Sequence, residues 1–411
     1  MADTYCKRAN YELILRSFNN DVEAALCCKS QDPVSLFNKH ALQKVKEDLN
    51  NGIKNNHCNV CWYQESKGMP SWRQIGNDLQ IYGKSIEIYF DNTCDQACIY
   101  CSPKYSSKWF QEIKHAVSED KKILNTFIND NTFEQTPRQN HKTAILQEIS
   151  NVGLASKAGD YVVIVLLGGE PLLSQQFNNT NILKEIVDAF YLTANKDVNL
   201  RITIVTNGNT PDNIVDQTIT TGDLLQKKYS KLKITVQLSI ESIGNNAEFV
   251  RYGLNYNQFL KNVKKYLKSN MKVGFSMAVN IVSFINTPEF LNTMFALCKE
   301  YRYYTFFNFN LVDYPEFLSI KTLPKRYQYV LDECREIFTS NINNFYEDSF
   351  YKRVMTQLDH AQEKLGTDLS VTHYNNAKKY FLYIEKARNK KLQDVNLDLY
   401  NFLMEKNNEV L

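Results

Sequence analysis

No stretch of eighteen consecutive apolar residues occurs in the 411-residue chain, so a membrane-spanning helix is not expected. Net charge is equally scarce. The 48 Lys and Arg stand against 45 Asp and Glu, a formal balance of +3, which leaves no electrostatic footprint for nucleic acid. The opening residues, Met1-Ala-Asp-Thr-Tyr-Cys-Lys-Arg, have no apolar core of the kind a secretory signal peptide needs. A cytoplasmic location is therefore expected, and with it few structural disulfides. There is also no internal repeat, no low-complexity tract and no long block of one charge.

What the chain does have is cysteine. Ten are present, and eight lie before residue 102. In a cytosolic setting that points to metal or redox chemistry concentrated on the N-terminal side. The densest group is Cys94-Asp-Gln-Ala-Cys98-Ile-Tyr-Cys101, directly after a strand-like run, Ser85-Ile-Glu-Ile-Tyr-Phe90. Thiolates are the usual ligands of iron–sulfur clusters. A four-iron cubane held by three cysteines keeps one iron open for a small molecule, much as a catalytic zinc keeps an open position. A structural zinc with a fourth ligand elsewhere, or unrelated buried thiols, would use the same residues.

A second group occupies residues 1–80: Cys6, Cys27, Cys28, Cys58 and Cys61. The pair Cys58-x2-Cys61 suits one metal centre, and Cys6 with Cys27 or Cys28 completes four thiols. Zinc is the alternative occupant there. Apolar spacing predicts helices over residues 10–25 and 34–49 of this segment.

From Ile81 the pattern becomes an alternation of strands and helices, the signature of a parallel sheet or barrel. Six strands are expected, over residues 81–91, 161–167, 200–205, 234–239, 273–279 and 304–311. A long insertion from 106 to 160 separates the first two. It reads as helical over 108–128 and as a polar loop over 129–141. Helices are expected over 182–194, 256–269 and 288–300. After Leu323-Pro324 the chain reads as helix: 325–338, 346–365 and 371–392. The expected organisation is a cysteine-rich segment over 1–80, a barrel-like core over 81–320 and a helical extension over 321–411.

The strand ends carry polar groups, and in barrels that end is where catalysis sits. Gly168-Gly169-Glu170-Pro171 follows the second strand. Its glycines allow close backbone approach to a ligand; its carboxylate and carbonyls suit an ammonium group, although an ordinary tight turn would use the same residues. Asn207 in Thr206-Asn207-Gly208, Ser239 and Asn280 end later strands. Each can hydrogen-bond a ribose or carboxylate, or simply cap the next helix. Arg251 can hold a carboxylate bidentately or form a surface ion pair.

The cysteine loop, the Gly168–Pro171 turn, Thr206-Asn207-Gly208 and Ser239-Ile-Glu241 together resemble the radical S-adenosylmethionine (SAM) core, over roughly Ile81 to Pro315. The resemblance implies an α/β fold, a partial (β/α)6 barrel of the TIM type. It implies a [4Fe–4S] cluster on Cys94, Cys98 and Cys101, with SAM on the fourth iron. Tyr100 would lie by the adenine, Gly168, Gly169 and Glu170 would receive the methionine amino group, and Ser239 and Arg251 would lie near ribose and carboxylate. SAM cleavage would then yield a 5′-deoxyadenosyl radical that takes hydrogen from a substrate, whether peptide, protein or small molecule. Since clusters of this kind reach potentials as low as about −700 mV, a flavodoxin- or ferredoxin-type reductant is the expected partner.

A narrower resemblance is to radical SAM proteins with a "twitch" auxiliary-cluster domain. It rests on Cys58-x2-Cys61-Trp-x2-Glu65-x2-Gly68-x2-Ser71-x-Arg73, on Phe249-Val-Arg-Tyr-Gly253 and on Asn308-Phe-Asn-Leu-Val-Asp-Tyr-Pro315. By position, Cys6, Cys27, Cys58 and Cys61 would hold an auxiliary iron–sulfur cluster, with Cys28 competing with Cys27. Two other classes remain: a radical SAM enzyme that modifies nucleic acid, and a structural or binding protein stapled by zinc.

Overall fold

The computed structural model describes residues 4–18, 21–30, 33–68, 71, 73–74, 77, 83–127, 139–177, 180–301 and 304–404. Its strands are β1 (Glu12–Phe18), β2 (Asp21–Ala25), β3 (Val34–Ser35), β4 (Lys84–Tyr89), β5 (Ala97–Cys98), β6 (Tyr161–Leu167), β7 (Asn199–Thr206), β8 (Leu232–Ser239), β9 (Arg251–Tyr252), β10 (Lys272–Val279) and β11 (Phe307–Leu311). The chain divides into two compact units. The first comprises Met1–Thr93, Glu134–Val205 and Gln217–Thr235, and the second Cys94–Phe133, Thr206–Asp216 and Val236–Leu411.

In the first unit the strand order is β3-β2-β1-β4-β6-β7. β4 pairs with β6 and β6 with β7 in parallel, in the registers Ile86↔Ile164 and Ile164↔Ile202. Along β6 and β7 burial alternates. Val162, Ile164, Leu166, Leu200, Ile202 and Ile204 are fully buried on one face. The helix Ile182–Tyr191 contributes Leu183, Ile186, Val187 and Phe190 to the same core. Each such side chain contributes about 1.5–3 kcal/mol by leaving water. The other face of β6, with Val163, Val165 and Leu167, stays half-buried. An apolar run thus covers a strand that is only half-sheathed, because Val and Ile also suit the pleated face itself.

The N-terminal segment departs from the helix expected over 10–25. A short helix, Lys7–Tyr11, leads into β1 and β2, which form an antiparallel pair. β1 in turn lies parallel to β4, with Leu13↔Ile86 and Leu15↔Ile88. Leu13-Ile14-Leu15 fits a helical spacing as well as a strand. The edge of β4 offers it a ladder of backbone partners, and that tertiary pairing overrides local preference. The helix expected over 34–49 begins later, at His40–Asn50, after β3 and a 3-10 turn. In the insertion, Gln139–Leu154 is an α-helix that the sequence did not announce. Residues 129–138 of the expected polar loop lie outside the described residues.

In the second unit β8, β10 and β11 are neighbours in that order. β10 and β11 are parallel, Phe275 opposite Phe307 and Met277 opposite Phe309. Phe275 stacks on Phe307 at 5.3 Å, and Phe295 and Phe338 close on Phe307 at 4.8 and 5.6 Å. Such aromatic pairs add about 0.5–1.5 kcal/mol each beyond their burial. The C-terminal helices Gln328–Ser340, Asp348–Lys364 and Val371–Arg388 follow, as expected. They pack in the same unit as the cysteine loop. The fold is α/β with a mainly parallel sheet, and it is not a closed barrel. No described helix is long and apolar enough to cross a membrane.

Candidate active site

The cysteine loop is fixed by the helix that follows it. Ser106 caps the helix Ser107–His115, its Oγ accepting from the Trp109 N–H at 3.1 Å. The same Oγ donates to the Gln96 carbonyl at 2.6 Å. Ser107 Oγ accepts from the Cys94 N–H at 3.0 Å, and Trp109 Nε1 donates to the Cys98 carbonyl at 2.7 Å. One capping sequence, Ser106-Ser107, thereby starts a helix and holds the loop before it. Far along the chain Tyr380 adds its hydroxyl, donated to the Ile99 carbonyl at 2.6 Å. β5 and β9 close the loop from another side, Ala97 opposite Tyr252 and Cys98 opposite Arg251.

All three thiols of the loop are free. Burial pushes the Cys94 thiol well above its ordinary pKa, with Cys98 next in effect. Burial raises Cys98 as well, opposed by Arg251 and Arg388. Cys101 is pushed up to about 12 by burial and by Cys98. Cys298 and Cys334 show that burial alone raises a thiol pKa; what sets the loop apart is three thiols within eight residues, none in a disulfide, a donor set that metal binding can deprotonate. The loop therefore fits a thiolate-ligated group. The other late cysteines, Cys298 and Cys334, are buried on the core faces of their helices.

A buried ion pair stands behind the loop. Arg251 donates to the Glu241 carboxylate from Nη2 at 2.6 Å and from Nε at 3.0 Å, and Glu241 is wholly buried. Nη1 reaches Cys98 Sγ at 3.9 Å. The Tyr100 hydroxyl donates to both Glu241 oxygens at 3.2 Å, and Arg251 lies 5.7 Å from the centre of its ring. Burial works against the Arg251 charge, but Glu241, Tyr100 and Cys98 outweigh it and raise its pKa. Tyr100 and Arg251, expected beside SAM, both bond Glu241, and Arg251 also reaches the Cys98 thiol. Asn207 is brought to the same place. Its Nδ2 donates to Asp95 Oδ1 at 2.7 Å and lies 3.9 Å from Cys94 Sγ. Asn209 donates to the other Asp95 oxygen at 2.6 Å.

Ser239 and Asn280 make no bond to the loop among the described residues. The Asn280 amide serves its own turn, donating to the Ala278 carbonyl at 2.9 Å and accepting from the Val282 N–H at 3.0 Å. Asp95, Trp109, Tyr380 and Arg388 are the residues that sequence reasoning missed. Only Asp95 had a local sign, its place inside the loop.

In the first unit, Gly168-Gly169-Glu170 folds back on residues 91–93. The Gly169 N–H donates to the Asp91 carbonyl at 3.2 Å and the Glu170 N–H to the Thr93 carbonyl at 2.6 Å. A Cβ on Gly169 would stand 2.2 Å from the Thr93 carbonyl oxygen, so only glycine fits that approach. Gly168 has a φ of 130°, also reserved for glycine. The Glu170 carboxylate is buried and accepts from the Leu172 N–H at 3.1 Å. The turn thereby steadies the strand end from which Cys94 follows.

The N-terminal thiols also meet. Cys6, Cys27, Cys58 and Cys61 line one cavity with Arg8, His57 and Arg73, whereas Cys28 is exposed and outside it. Cys6 caps the helix Lys7–Tyr11, and Cys58 and Cys61 lie at the start of the helix Asn59–Ser66. Burial pushes the thiols of Cys27 and Cys58 up to about 12. The neighbouring motif residues form one network: Arg73 pairs with Glu65 at 2.8 Å, Ser71 donates to Glu65 at 2.5 Å, and Arg73 lies 5.0 Å from the centre of the Trp62 ring. Among the described residues no three Cys, His, Asp or Glu side chains converge at a single-ion position; the thiolates of a cubane sit apart, at its corners.

The family profile described as the Radical SAM superfamily matches residues 88–297, half of the chain, and spans both the cysteine loop and the Gly168–Glu170 turn. The chain belongs to the radical SAM superfamily. It is an enzyme of that superfamily, and its α/β sheet is the superfamily's partial barrel. No curated protein sequence matches the chain. Among solved structures it is similar to anSMEcpe with bound AdoMet, at 17% identity and a TM-score of 0.43, covering 63% of this chain and 62% of that one. It is also similar to Streptococcus suis SuiB bound to S-adenosylmethionine, at 14% identity and a TM-score of 0.36, covering 82% of this chain and 71% of that one.

Proposed function

We propose that this radical SAM enzyme holds a [4Fe–4S] cluster on Cys94, Cys98 and Cys101 and cleaves SAM there to begin a hydrogen abstraction. Bound at the loop, cluster and SAM supply reductive cleavage of a sulfonium and a 5′-deoxyadenosyl radical. The chain's own residues position and shield. Ser106, Ser107, Trp109 and Tyr380 fix the loop backbone, and none of its three thiols is in a disulfide. That arrangement carries the reading. Arg251 offers an N–H to Cys98 Sγ, a bond of the kind that tunes cluster potentials. The Gly168–Glu170 turn, with its backbone carbonyls and the Glu170 carboxylate, would receive the methionyl amino group. Ser239 and Asn280 stand at strand ends as outer contacts. Asn207 acts through Asp95 and Cys94.

The N-terminal cavity with Cys6, Cys27, Cys58 and Cys61 is the place for a second iron–sulfur cluster. Four thiols around one cavity support it, and Cys27 rather than Cys28 supplies the fourth. A flavodoxin- or ferredoxin-type protein is the electron donor, in the cytoplasm, and the hydrogen donor is a peptide, protein or small molecule. The test is iron and sulfide analysis of anaerobically reconstituted full chain, followed by electron paramagnetic resonance with and without SAM. A reduced-cluster spectrum that changes when SAM is added supports the proposal; iron-free, zinc-loaded protein refutes it.

A further inference from the structure

Arg388 ends the helix Val371–Arg388, and its side chain is 1% exposed. Burying a guanidinium is costly unless it is fully bonded, and this one is not. Nε donates to Glu112 at 3.2 and 3.3 Å, and Nη2 lies 3.2 Å from a Glu112 oxygen. Nη1 has no hydrogen-bond partner among the described residues. The plane is held between two rings, 4.6 Å from the centre of Trp109 and 4.8 Å from that of Tyr252. Both rings belong to the cysteine loop's scaffold. Trp109 donates to the Cys98 carbonyl and Tyr252 is the strand partner of Ala97. A cation is thus fixed out of solvent against the two rings that brace the backbone of Ala97 and Cys98, with one carboxylate partly offsetting it.

We propose that Arg388 is a positioning residue that raises the reduction potential of the cluster on Cys94, Cys98 and Cys101, with Glu112 as the counter-charge that limits the effect; this rests on the cluster assignment above. Reduction adds negative charge to the cluster, and net charge and hydrogen bonding around it set its potential. A buried cation favours the reduced form, with little screening by salt. Arg251 acts on Cys98 at contact, but it also holds Tyr100 and Glu241. Arg388 can be changed while that network stays.

The experiment is a redox titration of the reconstituted full chain, followed by electron paramagnetic resonance of the signal that SAM perturbs. Arg388→Gln is expected to shift the midpoint to more negative potential, Glu112→Gln to less negative potential, and Arg388→Lys to leave it near wild type. Opposite shifts separate an electrostatic role from mere loosening of the loop, which would move both neutral variants the same way. Equal midpoints in all variants, or shifts of one sign, overturn the proposal. If Arg388→Gln fails to fold, Glu112→Gln decides alone: a rise supports it, and no change or a fall overturns it. A wild-type chain without the SAM-perturbed signal overturns the cluster assignment itself, whereas a signal with an unmoved midpoint overturns only the role of Arg388.

Discussion

The two thiol sites of this chain are built in opposite ways. The barrel loop packs Cys94, Cys98 and Cys101 into eight consecutive residues and is braced both by the helix directly after it, through Ser106, Ser107 and Trp109, and from far along the chain, by Arg251, Tyr380 and Arg388. The N-terminal cavity gathers Cys6, Cys27 and the Cys58/Cys61 pair from separate elements, while Glu65, Ser71 and Arg73, which form the network beside it, follow Cys61 in one short stretch of sequence. A contiguous loop fixes which thiols serve and leaves their environment to tertiary structure. A dispersed set does the reverse, so its thiols come together only when the strands β1 and β2 are in place. The contrast also bears on independence, since each site has its own scaffold within its own compact unit.

The sharpest way to break that comparison is to empty one site. In the Cys94→Ala/Cys98→Ala/Cys101→Ala variant the N-terminal site is expected to keep about four irons and four sulfides, read by chemical analysis. Stoichiometric zinc with no iron, after anaerobic reconstitution, would make it a structural staple. Within the dispersed site, Cys27→Ser should strip most of that remaining iron and Cys28→Ser none, because only Cys27 lines the cavity. Equal losses from the two variants would erase the distinction.

A smaller effect is expected where the two architectures are joined by sequence, at the turn that steadies the strand before Cys94. Gly169→Ala forces a methyl group against the Thr93 carbonyl. Overpacking of this kind costs about 1–3 kcal/mol, and here it should lower SAM affinity and cluster content together. Chemical denaturation and calorimetry read both. Unchanged SAM affinity with full iron content would mean that the turn is only structural. The smallest expected effect is Tyr380→Phe, which removes the hydroxyl bonded to the Ile99 carbonyl. It should destabilise by about 1 kcal/mol without loss of iron; a variant as stable as wild type would show that the C-terminal helix does not brace the loop.

How much of this was readable in the sequence follows the same contrast. The six core strands were legible because Val and Ile runs end in glycine or polar groups, and β6 was read to its boundaries. The loop cysteines, Gly168-Gly169 and the helices after Pro324 were legible for the same reason: their signals are local. The N-terminal strands were not, because Leu13-Ile14-Leu15 becomes a strand only beside β4, roughly seventy residues later. Nor were Tyr380, Glu112 and Arg388, whose bonds span 281 and 276 residues. Arg251 and Tyr100 stood out from the motif, but their shared bonds to Glu241, 10 and 141 residues away, did not.

If Cys94, Cys98 and Cys101 hold the cluster at which SAM is cleaved, 5′-deoxyadenosine formation depends on each of the three thiols. The direct measurement is 5′-deoxyadenosine formation by anaerobically reconstituted protein with SAM and a strong reductant, wild type against Cys98→Ala. The account predicts product from the wild type and none above background from Cys98→Ala, with the variant's secondary structure intact by circular dichroism. Wild-type product rates in Cys98→Ala would contradict it.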